Sequence, residues 1–332
     1  MFNSTYGNMT SYTASFARRI TMSNMLPNLL VVGVPKAGTS SLFAYLGQHP
    51  GICPSKTKEI GYFSPLGRGQ NLPPAEETYQ REFEHWSGQR YRLEATPAYC
   101  YGSSTRAIPT YCERIIVGIQ SMLEQPKIIL SLREPIDRLW SDYTFQRAKG
   151  NLGNVRNFDD YLHLCRERRR QGPAWQGDRH YGGLSVGFYD EYVGKWLEAF
   201  GEDVRVVFTD DLSGDSLRVL HGLCSWLAID ADVVKTLDMG ARNKTTHVRN
   251  TKLARWVYAT KRVADRLLRK SPSLRDGLRS AYLRLNAGDL VETLHPSTRS
   301  WLEETYHESN RRTAAALAAH GYHQLPAWLT TD

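Results

Sequence analysis

Leu29-Leu30-Val31-Val32-Gly33-Val34-Pro35-Lys36-Ala37-Gly38-Thr39-Ser40-Ser41-Leu42 decides the fold class of this chain: an apolar run breaks into a glycine-bounded loop, and a hydroxyl-rich helix start follows. A short apolar, β-branched run reads as a buried strand, and the positions after Gly38 carry helical periodicity, with Leu42, Phe43 and Leu46 on one face. Gly33 and Gly38 allow a tight turn and close backbone approach, and the first-turn N–H groups point partial positive charge at whatever sits on the loop. The loop therefore reads as an anion cradle. Its Gly-x4-Gly spacing matches the start of a Walker A loop, yet Thr39 follows Gly38 directly and the lysine lies earlier, at Lys36. No Lys-Ser/Thr pair is placed to hold magnesium, which argues against a nucleoside triphosphatase.

A second strand-to-helix junction stands at Lys127-Ile128-Ile129-Leu130-Ser131-Leu132-Arg133-Glu134-Pro135-Ile136-Asp137-Arg138-Leu139-Trp140-Ser141-Asp142-Tyr143. Arg133 and Ser141 are candidates for a further anion, while Ile136, Leu139, Trp140 and Tyr143 form the buried face; Arg138 reads as structural. Strands are expected at 28–34, 91–95, 127–132 and 204–208, and helices at 189–200, 215–227, 252–269 and 297–319. This alternation implies an α/β, P-loop-like three-layer fold with a central parallel sheet flanked by helices. Ligands of such sheets bind beyond the carboxyl ends of the strands, where both anion loops lie.

Together, Pro35-Lys36-x-Gly38-Thr39-Ser40-Ser41 and Arg133-x-Pro135-x-Asp137-Arg138-x4-Tyr143 resemble the two cofactor motifs of sulfotransferases that use 3′-phosphoadenosine 5′-phosphosulfate (PAPS). Lys58-Glu59-Ile60-Gly61-Tyr62-Phe63 is similar to a segment of the Golgi heparan sulfate sulfotransferases and bacterial relatives, and Trp301–Trp328 resembles their closing helix and tail. The resemblance spans about residues 26 to 329. It implies that Lys36, Ala37, Gly38, Thr39, Ser40 and Ser41 bind the 5′-phosphosulfate, with Lys36 also catalytic at the bridging oxygen. Arg133 and Ser141 would hold the 3′-phosphate. Phe188 and Tyr189 would stack on adenine, and Lys244 and Arg249 would belong to a late basic loop over the cofactor. Glu59 would be the general base, partly buried so that its pKa rises toward neutrality, with Lys58 shaping its surroundings. Thr96 and Tyr99, in Glu94-Ala95-Thr96-Pro97-Ala98-Tyr99, would face the acceptor. His49 is the substitute base.

Composition bounds the rest. Of 332 residues 41% are hydrophobic and 23% charged, with a formal net charge of +8, which suits a globular chain able to bury a core. No apolar run approaches the roughly 20 residues needed to span a bilayer. Residues 1–25, polar and without the apolar core of a signal peptide, are expected to be a flexible arm before a single domain over 26–330. Five cysteines, odd in number and without CxxC spacing, argue against a disulfide framework and a zinc site and point to a reducing cytoplasm. The ten histidines show no ligand spacing, so no metal is expected.

From Arg242 to Arg284 there are 13 Lys or Arg against Asp265 and Asp276. A basic amphipathic helix across 250–284 would either pack on the domain with a solvated basic face or dock peripherally on an anionic membrane at its inner face. No nucleic-acid-binding module accompanies the charge. Arg166 to His180, basic and aromatic, reads as a loop that gates or selects the acceptor. The expected activity is sulfuryl transfer from PAPS to a hydroxyl of a carbohydrate, glycolipid or small metabolite, without a metal. A kinase-like Mg-ATP phosphotransferase and a non-catalytic basic nucleotide- or membrane-binding module are the alternatives.

Overall fold

The computed structural model describes residues 25–71, 76–101, 111–174, 177, 179–240 and 292–330. Five strands, β1 (Leu29–Gly33), β2 (Ile52–Pro54), β3 (Tyr91–Ala95), β4 (Lys127–Leu132) and β5 (Val204–Phe208), form one parallel sheet in the order β2-β3-β1-β4-β5. The four strands expected from apolar runs are present. β2 was not expected, because three residues ending on Pro54 carry no periodicity; proline is tolerated there since β2 is an edge strand.

Side-chain parity sorts the core. Leu29 and Val31 of β1, Leu93 of β3 and Ile129 of β4 face one cluster, closed by Leu42 and Leu46 of α1 (Thr39–Leu46). The opposite parity, Leu30, Val32, Ile128, Leu130, Val204 and Val206, faces a second cluster. There α2 (Tyr111–Met122) supplies Ile115 and Ile119. A sheet buried on both faces explains why its strands read as continuous apolar runs. A third cluster joins Leu139 and Tyr143 of α3 (Pro135–Ala148), Tyr161 and Cys165 of α4 (Phe158–Gln171), and Leu302 and Tyr306 at the far end of the chain.

Two helix assignments sharpen the sequence reading. The 189–200 expectation becomes a short 3₁₀ turn at Tyr189–Glu191 followed by α5 (Val193–Phe200). The loop expected from Arg166 is helical to Gln171: Asn157 caps α4 by accepting from Asp160 N, and Asp159 and Asp160 lie in its first turn. Arg168, Arg169 and Arg170 lie in the last turn, where their charge complements the helix dipole, and Gly172 with φ +53° ends it. Further on come α6 (Ser216–Trp226) and α7 (Pro296–Ala319). Residues 1–24, the late basic positions Lys244 and Arg249, and the helices expected at 252–269 and across 250–284 lie outside the described residues.

β1 sits between β3 and β4, and the chain runs from β1 toward one edge and from β4 toward the other. The carboxyl ends of β1 and β4 therefore frame a topological switch point, the place where open α/β sheets hold ligands.

Candidate active site

The loop after β1 is held in place by groups that its own sequence does not supply. Val34 N donates to Ser131 O at 2.7 Å, and Ser131 Oγ donates to Ala37 O. Arg133 Nη1 donates to Lys36 O at 3.3 Å, and Tyr189 Oη donates to Arg133 O at 2.5 Å. Lys36 and Gly38 adopt left-handed conformations, φ +72° and +77°. For a lysine this is sterically unfavourable, and such positions cluster where backbone is shaped for a ligand. Ser41 N and Leu42 N donate to Gly38 O, whereas the N–H groups of Thr39 and Ser40 donate to no backbone carbonyl among the described residues. These first-turn donors are what an anion needs. Ala37 and Thr39 are buried, and Ser40 and Ser41 are half-buried.

The Lys36 ammonium lies 4.0 Å from the centre of the Phe145 ring, and Lys149 lies 4.1 Å from the same ring. Burial first of all, and then the neighbouring charges of Lys149, Arg133 and Arg138, lower the Lys36 pKa to about 8 against a countering pull from Asp142. Lys36 makes no ion pair among the described residues. The carboxylate of Asp142 is engaged by Tyr161 Oη at 2.9 Å and Gln146 Nε2 at 3.3 Å. Among the described residues neither Lys36 nor Arg133 forms an ion pair, so both cations at the switch point are available to an anion. The Ser141 hydroxyl, half-buried on α3, makes no hydrogen bond among the described residues.

Glu59 lies in the segment after β2 and is tied to the carboxyl end of β3. Its N–H donates to Ala95 O at 2.9 Å, and its φ is +67°. The carboxylate meets Lys58 Nζ at 2.7 Å and is 59% exposed rather than partly buried, because the Lys58–Glu59 turn stands proud of the strand end. Glu59 is thus tied to the end of β3, the neighbour of β1, while the segments that follow β1 and β4 carry Lys36 and Arg133.

Four expected ligands sit elsewhere than in an open cleft. Tyr189 is fully buried between Tyr192 and Trp328 and serves to hold Arg133, so it is a support and not a stacking platform. Phe188 is half-buried with the Arg169 guanidinium 3.5 Å from its ring centre and Tyr306 beside it, which leaves that face occupied. Thr96 and Tyr99 are 3% and 0% exposed and direct their hydroxyls at Glu94, not at an acceptor. His49 is excluded as a base. Gly51 N donates to its Nδ1 and its Nε2 donates to Asp230 O at 2.8 Å, so both nitrogens are spent.

Asp142, Phe145 and Lys149 were absent from the sequence reading. The signal was available, since 138, 142, 145 and 149 recur at helical spacing after the strand-end arginine. Arg138 is fully buried and donates to Gly183 O. A cavity of about 220 Å³ opens beside the loop, lined among others by Pro35, Asp142, Gln146, Arg168 and His180.

Residues 26–255 match the family described as Sulfotransferase domain. Over 197 residues the chain is 26% identical to the human heparan sulfate glucosamine 3-O-sulfotransferase 5, an alignment covering 59% of this chain and 51% of that protein. It is 25% identical over 210 residues to the bifunctional heparan sulfate N-deacetylase/N-sulfotransferase 1 of Caenorhabditis briggsae, covering 61% and 22%. The chain thus spans between about a fifth and a half of these relatives' lengths. A crystal structure of a sulfotransferase from Alicyclobacillus acidocaldarius superposes with a TM-score of 0.59 at 23% identity over 91% of this chain and 98% of that one, a likeness of fold. Strand order, anion loop and a family match over more than two thirds of its length agree: the chain belongs to the sulfotransferase domain family.

Proposed function

We propose that the protein transfers the sulfuryl group of PAPS to a hydroxyl of a carbohydrate, glycolipid or small-metabolite acceptor. The observation that carries this reading is the pair Lys36 and Arg133 at the β1/β4 switch point, neither of them in an ion pair among the described residues, on a loop whose Thr39 and Ser40 N–H groups meet no backbone carbonyl among those residues. A phosphosulfate with a second phosphate is the kind of polyanion that such a site fits. The donor supplies an activated sulfur bound to a phosphate oxygen. Thr39 and Ser40 would hold its 5′-phosphate through their N–H groups, and Arg133 and Ser141 its 3′-phosphate. Glu59 takes the acceptor's proton as the new O–S bond forms. Lys36 neutralises the charge that gathers on the bridging oxygen as the old O–S bond breaks, releasing 3′,5′-ADP. The cavity beside Pro35 is our choice for the acceptor. Carbohydrate is favoured because the relatives' names specify heparan sulfate.

A cytoplasmic setting and a peripheral berth on an anionic leaflet through 250–284 are parts of the same proposal. They rest on five buried, free cysteines and on the basic run from Arg242. Among the described residues no helix is long and apolar enough to cross a membrane.

The test is a thermal-shift titration in EDTA, comparing 3′,5′-ADP with ADP. Selective stabilisation by 3′,5′-ADP is expected, about 2.7 kcal/mol at 100 times its dissociation constant. Stabilisation by ADP alone, in a parallel titration with magnesium in place of EDTA, would transfer the protein to phosphoryl chemistry. Glu59→Gln should then abolish turnover in an acceptor screen while 3′,5′-ADP still binds; retained turnover removes Glu59 as the base.

A further inference from the structure

We propose that Glu94 is a positioning residue of the active site, whose carboxylate anchors the turn carrying Lys58 and Glu59 through the hydroxyls of Thr96 and Tyr99. This inference rests on Glu59 acting as base. Glu94 is the fourth residue of β3, 0% exposed, and makes no ion pair among the described residues. Its Oε1 accepts from Thr96 Oγ1 at 2.6 Å and from Tyr99 Oη at 2.8 Å, and its Oε2 accepts from Tyr79 Oη. A buried carboxyl with three hydroxyl donors and no cation is an expensive arrangement to keep in a core. Burial raises its pKa, and the bonds from Thr96, Tyr79 and Tyr99 oppose that rise.

The direction of the protons shows what the arrangement does. Gly61 N donates to Thr96 Oγ1 at 3.0 Å, and Phe63 N donates to Tyr99 Oη at 3.2 Å. A backbone N–H only donates, so each hydroxyl must accept on that side and send its own proton onward. Both protons end on the same oxygen of Glu94. Two chains, Gly61–Thr96–Glu94 and Phe63–Tyr99–Glu94, thus tie the segment after Glu59 to the end of β3. The third hydroxyl fixes the ring of Tyr79, on which Tyr62 stacks at 4.2 Å and 8° and Phe63 packs edge-on at 5.9 Å. Glu59 itself is bonded to Ala95 O, the residue after Glu94. Hence one carboxylate sets the height and heading of a turn whose catalytic side chain is 59% exposed and, among the described residues, is steadied by Lys58 alone. The surface of the site is held from underneath.

Four variants test this. Glu94→Leu removes both acceptor oxygens; Glu94→Gln keeps one oxygen for Thr96 and Tyr99 and turns its NH2 to Tyr79, whose hydroxyl then accepts. Thr96→Val and Tyr99→Phe each cut one chain. Three quantities are measured: amide hydrogen exchange at Gly61 and Phe63, affinity for 3′,5′-ADP, and kcat for release of 3′,5′-ADP from PAPS with the screened acceptor or with water. In Glu94→Leu both amides should exchange at least about tenfold faster, and kcat should fall about 10- to 100-fold with 3′,5′-ADP affinity kept within about twofold. Glu94→Gln should restore most of the rate. Thr96→Val should release Gly61 alone and Tyr99→Phe should release Phe63 alone. Unchanged exchange or kcat in Glu94→Leu overturns the proposal, as does a fall of 3′,5′-ADP affinity in step with kcat. Should Glu94→Leu not fold, the two single-chain variants decide by the same criteria. If the wild-type protein neither binds 3′,5′-ADP nor consumes PAPS, the sulfuryl-transfer reading fails; protection at Gly61 and Phe63 that answers to Thr96→Val and Tyr99→Phe still judges the anchor.

Discussion

Lys36 combines three properties at one position: a left-handed backbone, a half-buried side chain and an aromatic face 4.0 Å from its ammonium. Its pKa of about 8 has a definite sign. In the free protein the ammonium is lost as pH rises through about 8, so kcat/KM for PAPS should fall on that limb. Lys36→Arg, whose guanidinium stays charged, should keep a lower rate with no limb near 8. A limb that persists in Lys36→Arg would assign it to another group. The same shift makes the native state hold fewer protons than the unfolded chain between about pH 8 and 10.5, so stability gains across that window and a polyanion on the loop stabilises most below it. Lys36→Ala should lower kcat about 100- to 1,000-fold, the scale for losing one preorganised charge stabiliser, and weaken 3′,5′-ADP as well. Wild-type turnover in that variant would remove Lys36 from the reaction.

At the scale of elements, the junctions after β1 and β4 were legible because each pairs an apolar run with a helix signal. Glu134 confirms the second: its side chain caps α3 by accepting from Asp137 N at 2.6 Å, with Pro135 at the first helical position. What fell outside local reading was the coupling between elements. A β-carbon at Gly33 would fall on Cys100 Cβ and lie 3.3 Å from Pro97 O, so β1 must pass the 97–100 turn with no side chain. Gly33→Ala should therefore destabilise the protein by about 1–3 kcal/mol, measured by chemical unfolding, and move the anion loop with it. A neutral substitution would show that the 97–100 turn yields.

At the scale of the whole molecule, the chain's last described segment closes what the sheet leaves open. β5 is an edge strand, and Tyr322 Oη accepts from Val206 N at 3.0 Å and donates to Val204 O at 3.3 Å, occupying its free backbone groups. Trp328 packs on Phe208 and on Tyr189, the residue that holds Arg133, and donates from Nε1 to Asp210 at 3.1 Å. Ending the chain after Gly321 should expose that edge, promote association in light scattering and weaken 3′,5′-ADP through Tyr189 and Arg133. A monomeric truncation with unaltered affinity would separate the tail from the site.

The parallel sheet, the anion loop and the family resemblance were determined by the sequence alone, because each is written in contiguous residues whose spacing maps onto local geometry. The register of three strand ends was not, nor was the charge balance around Lys36, which depends on Asp142 and Lys149 from another helix. The same holds for Tyr99, Thr96 and Tyr189. Residue type marks them as ligands, and only burial shows that their hydroxyls point inward to brace Glu94 and Arg133. Burial depends on what the rest of the chain packs above a residue, and no local pattern records it.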